Sequence, residues 1–171
     1  MKERKGVVTF KGGPLTLLGQ DVAVGSTVDF TALATDLSEV KPASYRGKVV
    51  VVATVPSLDT SVCDREVRHF NEEAARLPDV VVLAVSMDLP FAQKRWCGAA
   101  GIENVRTLSD HRDASAGAAL GVLIKELRLL ARAVFVFDKQ GKLAYKQIVP
   151  EMTQEPDYPA ALAAIQALTK P

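Results

Sequence analysis

Cysteine is scarce in this chain: its 171 residues hold two, Cys63 and Cys97. A secreted scaffold stapled by disulfides would carry more. A cysteine-rich zinc site needs about four nitrogen or sulfur ligands. His69 and His111 would complete that count, but no close C-x-x-C or H-x-x-x-H pair is present to start a site, so no metal is expected. Charge of one sign is also lacking. Lys and Arg number 21 against 20 Asp and Glu, a net charge of +1. Nucleic-acid binders carry a basic excess, so no nucleic-acid partner is expected. Long apolar runs are missing too; none approaches the ~20 residues that cross a bilayer, and no membrane association is expected. The start, Met1-Lys2-Glu3-Arg4-Lys5, is charged and no apolar stretch follows before Lys11. The expectation is therefore no secretory signal and a cytoplasmic address. Repeats and low-complexity segments are absent.

What is present is globular. Hydrophobic residues make up 48% and charged residues 24%, which suits a single domain over residues 1–171. Three short, β-branched apolar runs stand out: Val49 to Val55, Val80 to Val85 and Ala133 to Phe137. Such runs suit strands buried on both faces. From Asp64 to Leu77 the apolar positions Val67, Phe70, Ala74 and Leu77 trace one helix face, with Arg65, Arg68 and Glu72 elsewhere. Pro78 stops that helix. Asp88 is expected to cap a second helix with Pro90 in its first turn, running to Gly98 or Gly101 and burying Leu89, Ala92, Trp96 and Ala100. A weaker strand at Val105 to Leu108 and a short helix at Ala114 to Leu120 follow.

Phe135 to Phe137, the turn Asp138-Lys139-Gln140-Gly141 and Lys142 to Val149 read as a hairpin. A helix from Pro159 to Leu168, burying Leu162, Ile165 and Leu168, closes the chain. Val7 to Phe10 and Leu15 to Leu18 flank Gly12-Gly13 as an N-terminal hairpin, and Lys41-Pro42-Ala43 reads as loop. A helical crossover makes the first two core strands parallel, and the late hairpin adds an antiparallel pair. A β-α-β unit followed by β-β-α is the layout of a thioredoxin-like α/β fold. The expectation is a mixed central sheet flanked by helices, with an N-terminal β-hairpin.

Pro56-Ser57-Leu58-Asp59-Thr60-Ser61-Val62-Cys63 lies at the carboxyl end of the first core strand and opens the first long helix. Ligands bind at that end of open α/β sheets. A thiol in a first helical turn faces unsatisfied N–H groups and the positive end of the macrodipole, which favour the nucleophilic thiolate. Cys63 also lies on the face of Val67 and Phe70, so by position alone an inert buried cysteine stands at equal weight. Cys97, taken alone, reads as a small core residue. Arg132 directly precedes a buried strand and must find a partner; a surface ion pair is one answer, and an anion or thiolate at the same sheet end is the other. His69 and His111 are expected on solvated faces. A cysteine hydrolase would need one of them as base, oriented by a third group, and none is evident.

The chain resembles the thiol peroxidases of the Tpx type, atypical 2-Cys peroxiredoxins. The resemblance rests on P-S-L-D-T-S-V-C at 56–63, S-M-D-L-P-F-A-Q-K-R-W-C at 86–97, L-L-A-R-A-V-F-V at 129–136, E-P-D-Y at 155–158 and the N-terminal F-K-G-G-P-L-T-L. It spans nearly the whole chain, and P-x-x-x-T-x-x-C with the second cysteine segment is very specific. Trp96 stands where the family has Phe. Ile124-Lys125-Glu126-Leu127-Arg128 replaces a Gly/Pro-containing loop near the expected subunit contact.

The resemblance implies a peroxidase reducing hydrogen peroxide and organic hydroperoxides. Cys63 would be the peroxidatic cysteine, Thr60 and Pro56 would belong to its pocket, and Arg132 would be the active-site arginine. Cys97 would resolve the sulfenic acid as a Cys63–Cys97 disulfide. Thioredoxin would be the reductant, the protein would be a homodimer, and no cofactor would be needed. A redox sensor that is not an enzyme would share the cysteine pair, whereas a thioredoxin-like reductase would carry C-x-x-C, which is absent.

Overall fold

A computed structural model describes residues 1–74 and 77–169. Its strands are β1 (Glu3–Phe10), β2 (Gly13–Leu18), β3 (Ala32–Leu33), β4 (Glu39–Val40), β5 (Val49–Thr54), β6 (Val80–Ser86), β7 (Val105–Ser109), β8 (Leu123–Ile124), β9 (Ala133–Phe137) and β10 (Leu143–Ile148). The helices are α1 (Ser61–Ala74), α2 (Pro90–Ala100), α3 (Ser115–Leu120) and α4 (Tyr158–Thr169). Among the described residues the main sheet has seven strands in the order β10-β9-β5-β6-β7-β3-β4, and a second sheet joins β1, β2 and β8.

The β-branched runs become the sheet centre because such side chains pack well on a pleated surface. β5 and β6 pair in parallel with Val51 opposite Val82, and β9 lies antiparallel on the other side with Val136 opposite Val51. Alternation then divides the side chains. Val49, Val51, Ala53, Val82, Ala84, Val134 and Val136 face one core, closed by Val67 and Phe70 of α1 and Ala161 and Ile165 of α4. Val50, Val52, Leu83, Val85 and Phe135 face the other, closed by Ala116 and Leu120 of α3 and by Leu17, Leu123 and Ile124 of the small sheet. This is the mixed-sheet thioredoxin-like fold with an antiparallel N-terminal pair, as expected.

Several local expectations change. α1 begins at Ser61, with Cys63 in its first turn as expected and Thr60 capping it, and Leu77 lies outside the helix; the expected buried side chain of Ala74 and residues 75–76 fall outside the described residues. Asp88 does not cap α2. Leu89 occupies that position with no side-chain bond, and Pro90 is the first helical residue as expected. Leu89 is also 53% exposed rather than buried, because the inward stripe of α2 runs through Pro90 and Gln93. Gln93 Nε2 donates to Ser86 Oγ and to the Leu108 carbonyl. The segment at Lys41-Pro42-Ala43 continues as a short 3-10 helix, Pro42–Tyr45. The two-residue strands β3 and β4 are too short to leave a periodic signal. Leu123–Ile124, at the head of the unusual 124–128 segment, pairs with Leu17 and Leu18.

The turn after α3 needs a glycine. Gly121 has φ +70°, and a Cβ there would run into the Gln20 carbonyl oxygen and the Arg4 guanidinium. Gly121→Ala should lower stability by about 1–3 kcal/mol, the scale of a strained left-handed residue. An unchanged denaturation midpoint would contradict this placement.

Candidate active site

The carboxyl ends of β5 and β6 lie side by side because the two strands are parallel neighbours. Their loops therefore meet, and Asp88 joins them. Its Oδ2 accepts from Leu58 N–H at 2.8 Å and from Ser86 Oγ at 2.7 Å, and its Oδ1 accepts from Ser57 Oγ at 2.7 Å. The residue expected to cap a helix instead clamps the loop that leads into α1. Thr60 ends that loop. Its Oγ1 accepts from Cys63 N–H at 3.4 Å, the N-cap geometry, while donating to the Ser57 carbonyl at 3.1 Å.

Cys63 thus sits in the first turn of α1, fully buried. β9 runs antiparallel to β5 with Ala133 opposite Thr54, so the residue before it, Arg132, enters at this same sheet end. Arg132 is 2% exposed. Its Nη1 donates to Cys63 Sγ at 3.1 Å and to Glu66 Oε2 at 2.9 Å, and its Nη2 donates to the Met152 carbonyl at 2.8 Å. The ion pair that Arg132 makes is buried, not on the surface, and the thiol at the sheet end is a partner beside Glu66 and the Met152 carbonyl.

Glu66 was not legible as part of this group. It is fully buried, and its Oε1 has no partner. Burial pushes its carboxyl up to about 7 against the opposing pull of Arg132, with the charge of Glu155 adding to the rise. The available signal was a charge inside the apolar stripe, three residues after Cys63 and next to Val67. His69 is also not on a solvated face. Its ring stacks on Tyr158 with centroids 4.0 Å apart, and its buried Nε2 has no partner. Burial, and next the charge of Glu66, raise the Tyr158 hydroxyl above its ordinary value. His111 is exposed as expected.

A cleft of about 380 Å³ opens beside this group, lined by Phe10, Pro56, Thr60, Val62, Arg132 and Met152 among others. Pro56 is buried and, like every proline, brings no N–H to the wall. The N-terminal hairpin forms one rim because Glu151 holds it there. That carboxylate accepts from Gly12 N–H, Thr9 Oγ1 and Thr153, and these bonds pull it down to about 2.

Cys97 is half-buried on α2, a free thiol 3.5 Å from Thr107 Oγ1. Cys63 is free as well. The helices that carry them are tied together. Trp96 Nε1 donates to Asp64 Oδ1 at 3.0 Å, and Arg68 bridges Asp64 Oδ2 at 2.8 Å to the Ala100 carbonyl at 3.2 Å. The structure brings Pro56, Thr60, Cys63 and Arg132 into one site and leaves Cys97 on the adjoining helix.

A buried thiol held by a guanidinium at a helix start, beside an open cleft, defines a thiol-redox site on a thioredoxin-like scaffold. The redoxin family model matches residues 22–162. The thiol peroxidase of Bacillus subtilis (strain 168) is 57% identical over 164 residues, covering 95% of this chain and 98% of that one. The thiol peroxidase of Halalkalibacterium halodurans is 56% identical over 161 residues, covering 94% and 97%. The crystal structure of a peroxiredoxin-like protein from Aquifex aeolicus superposes with a TM-score of 0.90 at 44% identity, covering 96% and 97%. A thiol peroxidase from Chromobacterium violaceum, 17% identical, shares the fold with a TM-score of 0.85. The chain therefore belongs to the redoxin family, in its thiol peroxidase branch. It is a thiol-dependent peroxidase, a peroxiredoxin-type oxidoreductase, and the sensor without turnover is set aside.

Glu66 gives stability a pH slope. Its folded value of about 7 lies above the ordinary 4.5, so between these the folded state holds a proton that the unfolded state lacks. Stability should fall as pH rises through that window, by on the order of 1–3 kcal/mol. Glu66→Gln should flatten this part of the curve in denaturation followed from acid to neutral pH. Parallel curves for the two proteins would contradict the assignment.

Proposed function

We propose that Cys63 is the peroxidatic cysteine and Cys97 the resolving one, and that the two cycle through an intramolecular disulfide. The observation that carries this reading is the 3.1 Å bond from Arg132 to Cys63 Sγ inside the buried first turn of α1. The Cys63 thiolate attacks one oxygen of hydrogen peroxide or an organic hydroperoxide. The O–O bond breaks, sulfur becomes a sulfenic acid, and the leaving oxygen departs as alkoxide or hydroxide and takes up a proton. Arg132 stabilises the thiolate and the charge that develops on the oxygens, the kind of preorganised donor that lowers such barriers by a few kcal/mol. Thr60 presents a hydroxyl at the cleft wall to orient the peroxide, and Pro56 helps keep water out.

Cys97 then attacks the sulfenic sulfur, releasing water and forming the Cys63–Cys97 disulfide. A dithiol reductant, thioredoxin, returns both thiols by exchange. The chemistry runs on the two thiols with no metal or organic cofactor. The remaining parts of the reading are a single domain over residues 1–171, a homodimer, and a cytoplasmic address. Among the described residues no helix is long and apolar enough to cross a membrane.

Resolution requires motion. A disulfide needs Cα atoms roughly 4.4–6.8 Å apart with opposed Cβ vectors. Here both thiols are free on intact helices, and the helices are fastened by the Trp96–Asp64–Arg68 contacts. Oxidation therefore unwinds the first turn of α1 or the end of α2 and breaks the Trp96 bond. Trp96 is the sole tryptophan, so its fluorescence reports the step.

Arg132→Met should abolish most peroxide turnover in a thioredoxin-coupled assay while the fold persists, and Lys should rescue poorly because it lacks the planar fork. Near-normal turnover in Arg132→Met would remove Arg132 from the reaction. Cys97→Ser should consume about one peroxide per chain, stop at the sulfenic acid and lose coupled turnover. Hydrogen exchange should show lower protection around Ser61–Val67 or Arg95–Ala100 in the oxidised protein. Identical protection in both redox states would exclude the motion.

A further inference from the structure

The buried site holds two acids and one cation. Cys63 and Glu66 are both fully buried, and both take their bond from the same nitrogen of Arg132, at 3.1 and 2.9 Å. Arg132 is the one buried cation among the described residues. Also on α1, His69 stacks on Tyr158, with its Nε2 unpartnered. From α4 comes the neutral Tyr158 hydroxyl, which donates to Glu155 at 3.1 Å. Glu155 is exposed and answered by Arg65 at 3.6 Å, so it brings no cation inward. One guanidinium cannot balance two buried anions, and an uncompensated charge in such a place is strongly disfavoured.

We propose that Glu66 is the proton-holding partner of the peroxidatic thiol: Cys63 and Glu66 share a single proton over Arg132, and the thiolate exists while Glu66 is a neutral carboxylic acid. Glu66 touches no peroxide atom; it is a positioning residue that acts through Arg132. The two acids then titrate as one coupled pair. The rise of the Glu66 carboxyl toward neutrality agrees with this.

The pairing also sets the proton balance of peroxide reduction. The thiolate attacks hydrogen peroxide, an S–O bond forms and the O–O bond breaks, giving neutral Cys63 sulfenic acid and hydroxide. Loss of the thiolate charge leaves Arg132 to the carboxyl, so Glu66 ionises as the hydroxide becomes water. One proton leaves Glu66 and one is taken up by the leaving oxygen. The buried charge stays balanced, with Arg132 opposite a thiolate before the step and opposite the Glu66 carboxylate after it.

This inference rests on Cys63 as the nucleophile, and Cys63→Ser tests that reading separately, because it abolishes the oxidation itself. The test of Glu66 compares Cys97→Ser with Cys97→Ser/Glu66→Gln, each reduced and mixed with hydrogen peroxide in weak buffer containing a pH indicator. Near neutral pH the first protein should take up almost no proton per peroxide. The second, which has no carboxyl to release one, should take up about one. The oxidation rate of the first should rise with pH in two spread steps. That of the second should rise in one step, displaced to lower pH by on the order of one unit, the effect of removing one close like charge. Equal proton uptake and superimposable pH profiles would overturn the proposal. Should Glu66→Gln fail to fold, the infrared difference spectrum of Cys97→Ser on oxidation decides. Loss of a protonated carboxyl band supports the shared proton, and no carboxyl change overturns it.

Discussion

A guanidinium buried at the mouth of a strand is the constraint around which this molecule is organised. Arg132 is only 2% exposed and cannot be left unpaired without a large cost. Its partners must come from the surrounding fold, which supplies a thiol and a carboxyl from α1 and a backbone carbonyl from Met152, after β10. A thiol that would otherwise pack as a small hydrophobe is held against a guanidinium instead.

The sheet topology makes that meeting unavoidable. Parallel β5 and β6 bring two loops to one end, antiparallel β9 delivers Arg132 to the same end, and α1 turns back over the sheet with Cys63 in its first turn. Asp88 and Thr60 hold the approach to that turn in place. A well-formed α1 and a fastened α2 keep the two thiols on separate elements. In the proposed cycle, reactivity toward peroxide belongs to the folded turn, and disulfide formation to its opening. The contacts among Trp96, Asp64 and Arg68 lie between those two demands.

Much of this was readable from the residues, for definite reasons. Runs such as Val49 to Thr54 and Ala133 to Phe137 announce buried strands because β-branched side chains suit a pleated interior. Arg132 is legible as a charge against a strand of that kind, but its partner stays open between a surface ion pair and an anion or thiolate until the register of β9 on β5 places it beside Cys63. Other features depend on tertiary contacts that leave little trace in a linear pattern. Asp88 stands where a helix cap is expected, but Ser57 and Leu58 of the neighbouring loop and Ser86 of β6 offer it three donors. His69 sits among charged residues and yet faces Tyr158, which is distant in sequence. Glu66 interrupts an apolar stripe at helical spacing from Cys63. A charge in such a stripe signals a buried partner, and the partner was already in view as Arg132.

The proposed role of Cys63 requires its buried, Arg132-held thiolate to be more reactive than a thiolate in water. Stopped-flow mixing of the reduced protein with hydrogen peroxide, followed by Trp96 fluorescence, measures that reactivity directly. Expressed per thiolate, the second-order rate constant should exceed that of free cysteine by at least about 10²–10³, the scale that preorganised donors supply. A rate per thiolate equal to that of free cysteine would contradict the account.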